Sequence, residues 1–190
     1  MSEKISDLLA AAAVRADPVV RGVDDGQLPA GTPCAEYDVR GLLNHLFHVV
    51  VGFQALAADK EADFSTTPDY LEGNWRERFT TETGLLVRAW AAPGVDEGTK
   101  GSMSLPARTV GAMALLDLTV HIWDLARATG QDFTPDAEGI RTLGELVTQM
   151  GPTARQMKVF GDPRPAPEGA TPFEEVLAST GRDPRWTPGD

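Results

Sequence analysis

Asp117, His121 and Asp124 constrain this chain more than any other residues, because they set three ionisable groups into the apolar face of one helix. The segment PARTVGAMALLDLTVHIWDLARATG has helical spacing from about Arg108 to Thr129, with Val110, Ala114, Leu118, Leu125 and Ala128 along one side. Asp117, His121 and Asp124 follow at i, i+4 and i+7, so they interrupt that stripe. Burying an unpaired carboxylate or imidazole costs several kcal/mol, so such groups are paired, hydrogen-bonded or bound to a metal. The trio requires a partner.

The 190 residues suit one domain, with a bundle core over about 1–155 and a proline-rich connector plus C-terminal helix over about 156–190. Hydrophobic residues make up 42% and charged residues 24%, the composition of a globular protein. No apolar run reaches the ~18 residues of a membrane span, and the opening MSEKISDLL lacks a secretory signal's regions, so a cytoplasmic location is expected. Cys34 is the single cysteine, which excludes an internal disulfide and fits a reducing compartment. A net charge of -11 argues against nucleic acid and anionic membranes as partners. A small molecule is the expected partner, with a homodimer as the expected form of any self-association.

Helix signals dominate the rest. A first amphipathic helix is expected over about Ser2–Ala16, with Ile5, Leu8, Leu9 and Ala12 on one face and Asp17-Pro18 as its stop. Gly22–Glu36 reads as a connecting loop, after which Asp38 caps a second helix over about Val39–Lys60. Thr67-Pro68 opens a third helix over about Asp69–Ala91, and Val95–Leu105 reads as loop with at most a short extended piece. The fourth helix ends at Gly130. Helices over about Pro135–Met150, closed by Gly151, and Pro172–Ser179, capped by Thr171 with Glu174, complete the chain. No repeat and no convincing strand pair is present. The pattern predicts an all-α, up-down four-helix bundle with a C-terminal helical appendage.

Within such a bundle, the second helix turns His45 inward at the edge of its apolar stripe, while the fourth turns Asp117 and His121. Residues at i and i+4 share a helix face and can hold one ion together. Two imidazoles and a carboxylate suit a divalent first-row ion, zinc above all, with one position open for water or substrate. Asp124, a turn beyond His121, is placed to orient it, and Asp124 or His48 is placed to relay protons. His48 lies about 60° further round its helix, toward a groove or solvent. The same spacing is equally that of a satisfied buried hydrogen-bond network with no metal, or of Asp124 pairing with Arg127. Cys34 before the second helix is a half-buried packing residue or a reactive thiol. Trp75, Trp90 and Trp123 read as core or boundary aromatics, and Arg76 and Arg78 as a solvated face or an anion contact. GxGxxG, GxxxxGK[ST] and GxSxG are all absent.

DVRGLLNHLFHVVVG, then DLTVHIWDLARATGQ, then FEEVLASTGRDPRW resemble, in order and over nearly the whole chain, an actinobacterial family of the DinB-like superfamily. That family is described as metal-binding and related to the N-terminal domain of mycothiol-dependent maleylpyruvate isomerase. The resemblance implies a four-helix bundle holding a divalent metal through a second-helix histidine and an acid-x-x-x-His pair, which fall on His45, Asp117 and His121. It also implies mycothiol as a thiol cosubstrate, and a transferase or isomerase reaction on a small electrophile. A bundle that binds metal or a small molecule without catalysis is the alternative. The isomerase has glutamate where this chain has the shorter Asp117, and it carries a second domain for which 190 residues leave no room.

Overall fold

Six α-helices, a single 3-10 turn at Asp25–Gln27 and one short hairpin form the regular structure of the described residues, 3–157 and 159–189 of a computed structural model. Helix α1 spans Ile5–Arg21 and buries Ile5, Leu8, Leu9 and Ala12. The expected start at Ser2 lies outside the described residues. The expected stop at Pro18 does not occur, and the helix continues a further turn to Arg21. Proline inside a helix costs about 3 kcal/mol through its missing N–H. Burial of Val19 and Val20, and a bond from Gln131 Nε2 to the Val19 carbonyl at 3.0 Å, offset that loss.

Helix α2 (Val39–Ala57) begins at the expected cap, where Asp38 accepts from the Gly41 N–H at 2.7 Å. It closes at Ala57 rather than Lys60, because Asp59 takes a left-handed φ of 56° and the Lys60 N–H turns back to the Ala55 carbonyl. Helix α3 (Trp75–Trp90) starts later than Thr67-Pro68 predicts. Side chains capture the intervening backbone first: Asn44 Oδ1 accepts from the Tyr70 N–H at 2.7 Å and Asp69 Oδ1 from the Leu71 N–H at 3.0 Å. Strands β1 (Thr99–Lys100) and β2 (Leu105–Pro106) form an antiparallel pair too short to leave an alternating pattern in sequence.

Helix α4 (Ala107–Thr129) ends at Gly130, whose φ of 70° is the left-handed cap. It is the one helix among the described residues long and apolar enough to cross a membrane, yet 83% of that stretch is buried inside the bundle. Its burial makes it the core helix. Helix α5 (Ala137–Gln156) is capped by Asp136 and runs through Gly151-Pro152 instead of ending there, with Ala154 buried in the extra turn. Helix α6 (Pro172–Ser179) carries the expected Thr171–Glu174 capping box and packs on α5.

Side-chain contacts set the helix directions. Phe47 meets Phe79 edge-on, and Trp90 Nε1 donates to the Phe53 carbonyl at 3.2 Å, so α2 and α3 run the same way. Asp17 meets Thr80, whereas Ile5 and Trp90 both crowd Gly111, so α1 opposes α3 and runs with α4. The result is the expected all-α bundle with a C-terminal appendage, but consecutive helices do not alternate in the expected up-down order. Helices α1 and α4 point one way and α2 and α3 the other, with residues 58–74 making the return between the parallel pair. Helices α2 and α4 are therefore antiparallel neighbours, which brings the first half of α2 beside the last half of α4.

Gly111 lets α1, α3 and α4 meet closely. A Cβ there would lie 2.6 Å from Ile5 Cγ2 and 2.9 Å from Trp90 Cζ3. We expect G111V to lower the urea unfolding free energy by about 1–3 kcal/mol through overpacking. G144A, in an open position on α5, should leave stability unchanged or raise it by up to ~1 kcal/mol.

Candidate metal centre and its cavity

His45 on α2 and Asp117 and His121 on α4 converge. One donor atom from each lies within 4.8 Å of the other two. The imidazole rings of His45 and His121 meet edge to face with centroids 4.8 Å apart, and His121 Nε2 stands 3.7 Å from Asp117 Oδ1. The i, i+4 step on α4 puts Asp117 and His121 on one face. The antiparallel approach of α2 supplies the second imidazole.

Both rings are held from behind. His121 Nδ1 lies 3.0 Å from Asp124 Oδ2, and Asp124 is completely buried. The carboxylate accepts only, so this contact assigns the proton to Nδ1 and leaves the Nε2 lone pair toward Asp117. Tyr37 stacks on His45 with centroids 5.0 Å apart, and its hydroxyl lies 3.3 Å from His45 Nδ1. Arg182, from the turn after α6, donates to Asp124 Oδ2 at 3.1 Å and is itself buried. Asp124 therefore pairs with Arg182 rather than Arg127, whose guanidinium donates instead to the Trp186 carbonyl at 2.6 Å.

The electrostatics follow from this packing. Burial, reinforced by repulsion from His121, His48 and Arg182, lowers the His45 pKa to about 3, so its ring is a neutral, lone-pair donor at neutral pH. Burial pushes the Asp117 carboxyl up, and His121 and Arg182 pull it back only in part. Burial also raises the Cys34 thiol, with Arg182 opposing. At Arg182 burial works against the charge, but Asp124, Cys34 and Asp117 together more than offset this.

The other residues singled out in the sequence sit as follows. Cys34 offers its sulfur within 4.8 Å of donor atoms of His121 and Asp124. The Arg182 guanidinium against Asp124 makes that second trio a poor place for a cation. His48 does not reach the group: its Nδ1 lies 3.3 Å from the Tyr70 hydroxyl and its ring packs against Phe64, while Nε2 is buried with no partner. Three residues beyond His45, it faces the 58–74 connection instead of α4. Trp75, Trp90 and Trp123 are buried. Arg76 lies over the Trp75 ring and ties α3 to the loop after α1 through Asp25, while Arg78 donates to the Tyr70 carbonyl and ties down the 58–74 connection. Sequence reasoning did not single out Tyr37 or Arg182. Their signals were present in TPCAEYDVR, just before α2, and in the GRDPRW ending, but no spacing rule links either to α4.

The site opens on a cavity of about 1090 Å³ lined by Cys34, Tyr37, His45, Asp117, His121 and Arg182, among others. Two imidazoles and a carboxyl on a cavity wall are the donor set of a divalent ion with an open position. Donor atoms about 2.1 Å from one ion lie at most ~4.2 Å apart, close to the separation found here. The residues fit such an ion. The clamp behind His121 is testable without one. D124N leaves Arg182 buried without a counter-charge and should destabilise the protein by about 3–5 kcal/mol, most of it recovered in D124N/R182M. Equal losses in the single and double variants would show that the two side chains are not coupled.

Residues 9–126 match the family model of the mycothiol maleylpyruvate isomerase N-terminal domain. Two uncharacterized proteins of Mycobacterium tuberculosis, from strains CDC 1551 and H37Rv, are each 29% identical over 168 residues, covering 84% of this chain and 87% of theirs. The crystal structure of the mycothiol-dependent maleylpyruvate isomerase superposes with a TM-score of 0.53 at 14% identity, covering 80% of this chain and 72% of that one. The helical architecture is thus shared at low identity. The chain belongs to the mycothiol maleylpyruvate isomerase N-terminal domain family.

Proposed function

We propose that the protein is a metal- and thiol-dependent transferase or isomerase. In this reading His45, Asp117 and His121 hold a divalent ion, zinc by the chemistry of the donors, and a small thiol such as mycothiol is activated there to attack an electrophile. One observation carries the reading: two imidazoles and a carboxyl from separate helices converge on the wall of a large cavity. Membership of a mycothiol-related family supports it. When bound, such an ion lowers the pKa of a coordinated thiol and so supplies a thiolate at neutral pH.

The chain's own residues do the rest. His45 stays neutral because burial disfavours its charge, so protons do not compete for its lone pair above acid pH. Asp124 is a positioning residue: it holds the Nδ1 proton of His121 and keeps Nε2 turned to the cavity. Arg182 pairs with Asp124 at 3.1 Å and supplies its counter-charge. Tyr37 keeps the His45 ring in plane against itself. His48 has no part, since it neither lines the cavity nor touches the group. A cytoplasmic location, with a small molecule as partner and neither nucleic acid nor membrane, belongs to the same proposal.

Elemental analysis of freshly purified protein should find about one divalent ion per chain, lost in H45A/H121A, and D124N should weaken metal affinity about 10–100-fold. H121A should abolish consumption of mycothiol in the presence of an electrophile. A protein with full metal and no thiol dependence would instead be a non-catalytic metal-binding bundle. A protein with no metal, whose melting temperature ignores a chelator, would end the reading.

A further inference from the structure

We infer that the acceptor taken up at this site carries an elongated apolar body, about 16 Å long, seated in the channel that leads away from the imidazoles. The inference rests on the reading above for the reactive end but not for the channel. The cavity, about 1090 Å³, stands at the upper limit of the ~300–1,000 Å³ usual for small-molecule sites. The candidate metal ligands sit at one end, where His45, Asp117, His121, Cys34 and Arg182 gather. Beyond them the two long helices present apolar walls. Helix α2 contributes Val49, Phe53 and Leu56 at successive turns, and α4 contributes Val120, Met113 and Val110.

The two helices are antiparallel, so both apolar runs lead from the imidazoles to the same far end. From His45 to Leu56, and equally from His121 to Val110, the rise is about 16 Å at ~1.5 Å per residue. Leu146 and Met150 of α5 add a third wall. Glu36, Asp59, Lys60, Glu61, Lys100 and Arg164 also line the cavity. Lys100 pairs with Asp59 at 2.7 Å and Arg164 with Asp183 at 3.6 Å, so neither calls for an anion on the ligand.

The mouth gives an independent sign. Seven large apolar residues are exposed among the described ones, and four of them, Phe64, Met103, Met157 and Val159, line this cavity at 45–57% exposure. A patch of that kind marks a binding surface, and the two methionines make it adaptable in shape. The deep walls distinguish a slot for a small molecule from a flat face for a protein: Val49, Phe53, Val110 and Val120 line the cavity while each is 5% exposed or less.

The test uses the full chain and N-phenyl-1-naphthylamine, a neutral dye with no reactive group that fluoresces in apolar surroundings. Saturable binding is expected with and without zinc. Straight-chain alcohols should displace the dye with affinity rising about fourfold per added methylene until the channel is filled. M113W and M150W, checked for native helical circular dichroism, should weaken dye binding at least tenfold by filling the channel. In the unaltered protein, saturable dye binding without any thiol consumption would sink the catalytic reading and spare the channel. Absence of saturable binding, displacement indifferent to chain length, or full affinity in both folded tryptophan variants would overturn the inference. Dye binding that vanishes on dilution, together with dimer dissociation, would place a second copy on the mouth and overturn it equally.

Discussion

A charge with no exposure to water organises this protein. Asp124, in the last turns of α4, is completely buried, with one oxygen shared between the His121 ring and the Arg182 guanidinium. An isolated carboxylate there would be intolerable, so the two partners are obligatory, and each ties a different part of the chain to α4. Through His121 the clamp sets the direction of the ring that faces the cavity. Through Arg182 it secures the C-terminal turn after α6. The appendage is therefore part of the site's support, although the family match ends at residue 126, well before Arg182.

This arrangement separates two jobs on one helix. Asp117 and His121 face the cavity, while Asp124, one turn on, faces the opposite partner and never reaches the cavity wall. A carboxylate that accepts the Nδ1 proton of a histidine fixes its tautomer and strengthens Nε2 as a donor, the usual support for a metal-bound ring. Tyr37 performs a related service for His45 by stacking and by its hydroxyl. Rigid donors at one end and adaptable methionine and phenylalanine walls at the other make a cavity with a demanding head and a tolerant body.

The sequence made most of the fold legible wherever a local rule was strong. The Asp38 cap, the Gly130 stop and the Thr171–Glu174 box all lie where short-range chemistry places them. It failed at Pro18, at Gly151-Pro152 and at Thr67-Pro68, and the reasons differ. At Pro18 buried valines and a distant glutamine side chain outweigh a lost hydrogen bond. At Thr67-Pro68 the helix was pre-empted by Asn44, far away in sequence, which captured the Tyr70 backbone. The site divides in the same way. Asp117, His121 and Asp124 were conspicuous because helical spacing set them on an apolar face. His48, expected about 60° round the helix from His45 toward a groove or solvent, could not be assigned its neighbours Tyr70 and Phe64 from a helical wheel.

Sequence by itself determined the helical class, the presence of a buried polar trio in the fourth helix, and a single histidine-bearing helix able to answer it. Those are consequences of periodicity, which is local. Only the tertiary structure decided that α2 and α3 run in parallel, that Arg182 rather than Arg127 neutralises Asp124, and that a long apolar channel adjoins the imidazoles. Each of these depends on which residues meet across many positions of chain. Burial makes the choice there, because a charge removed from water accepts whichever partner the packing delivers.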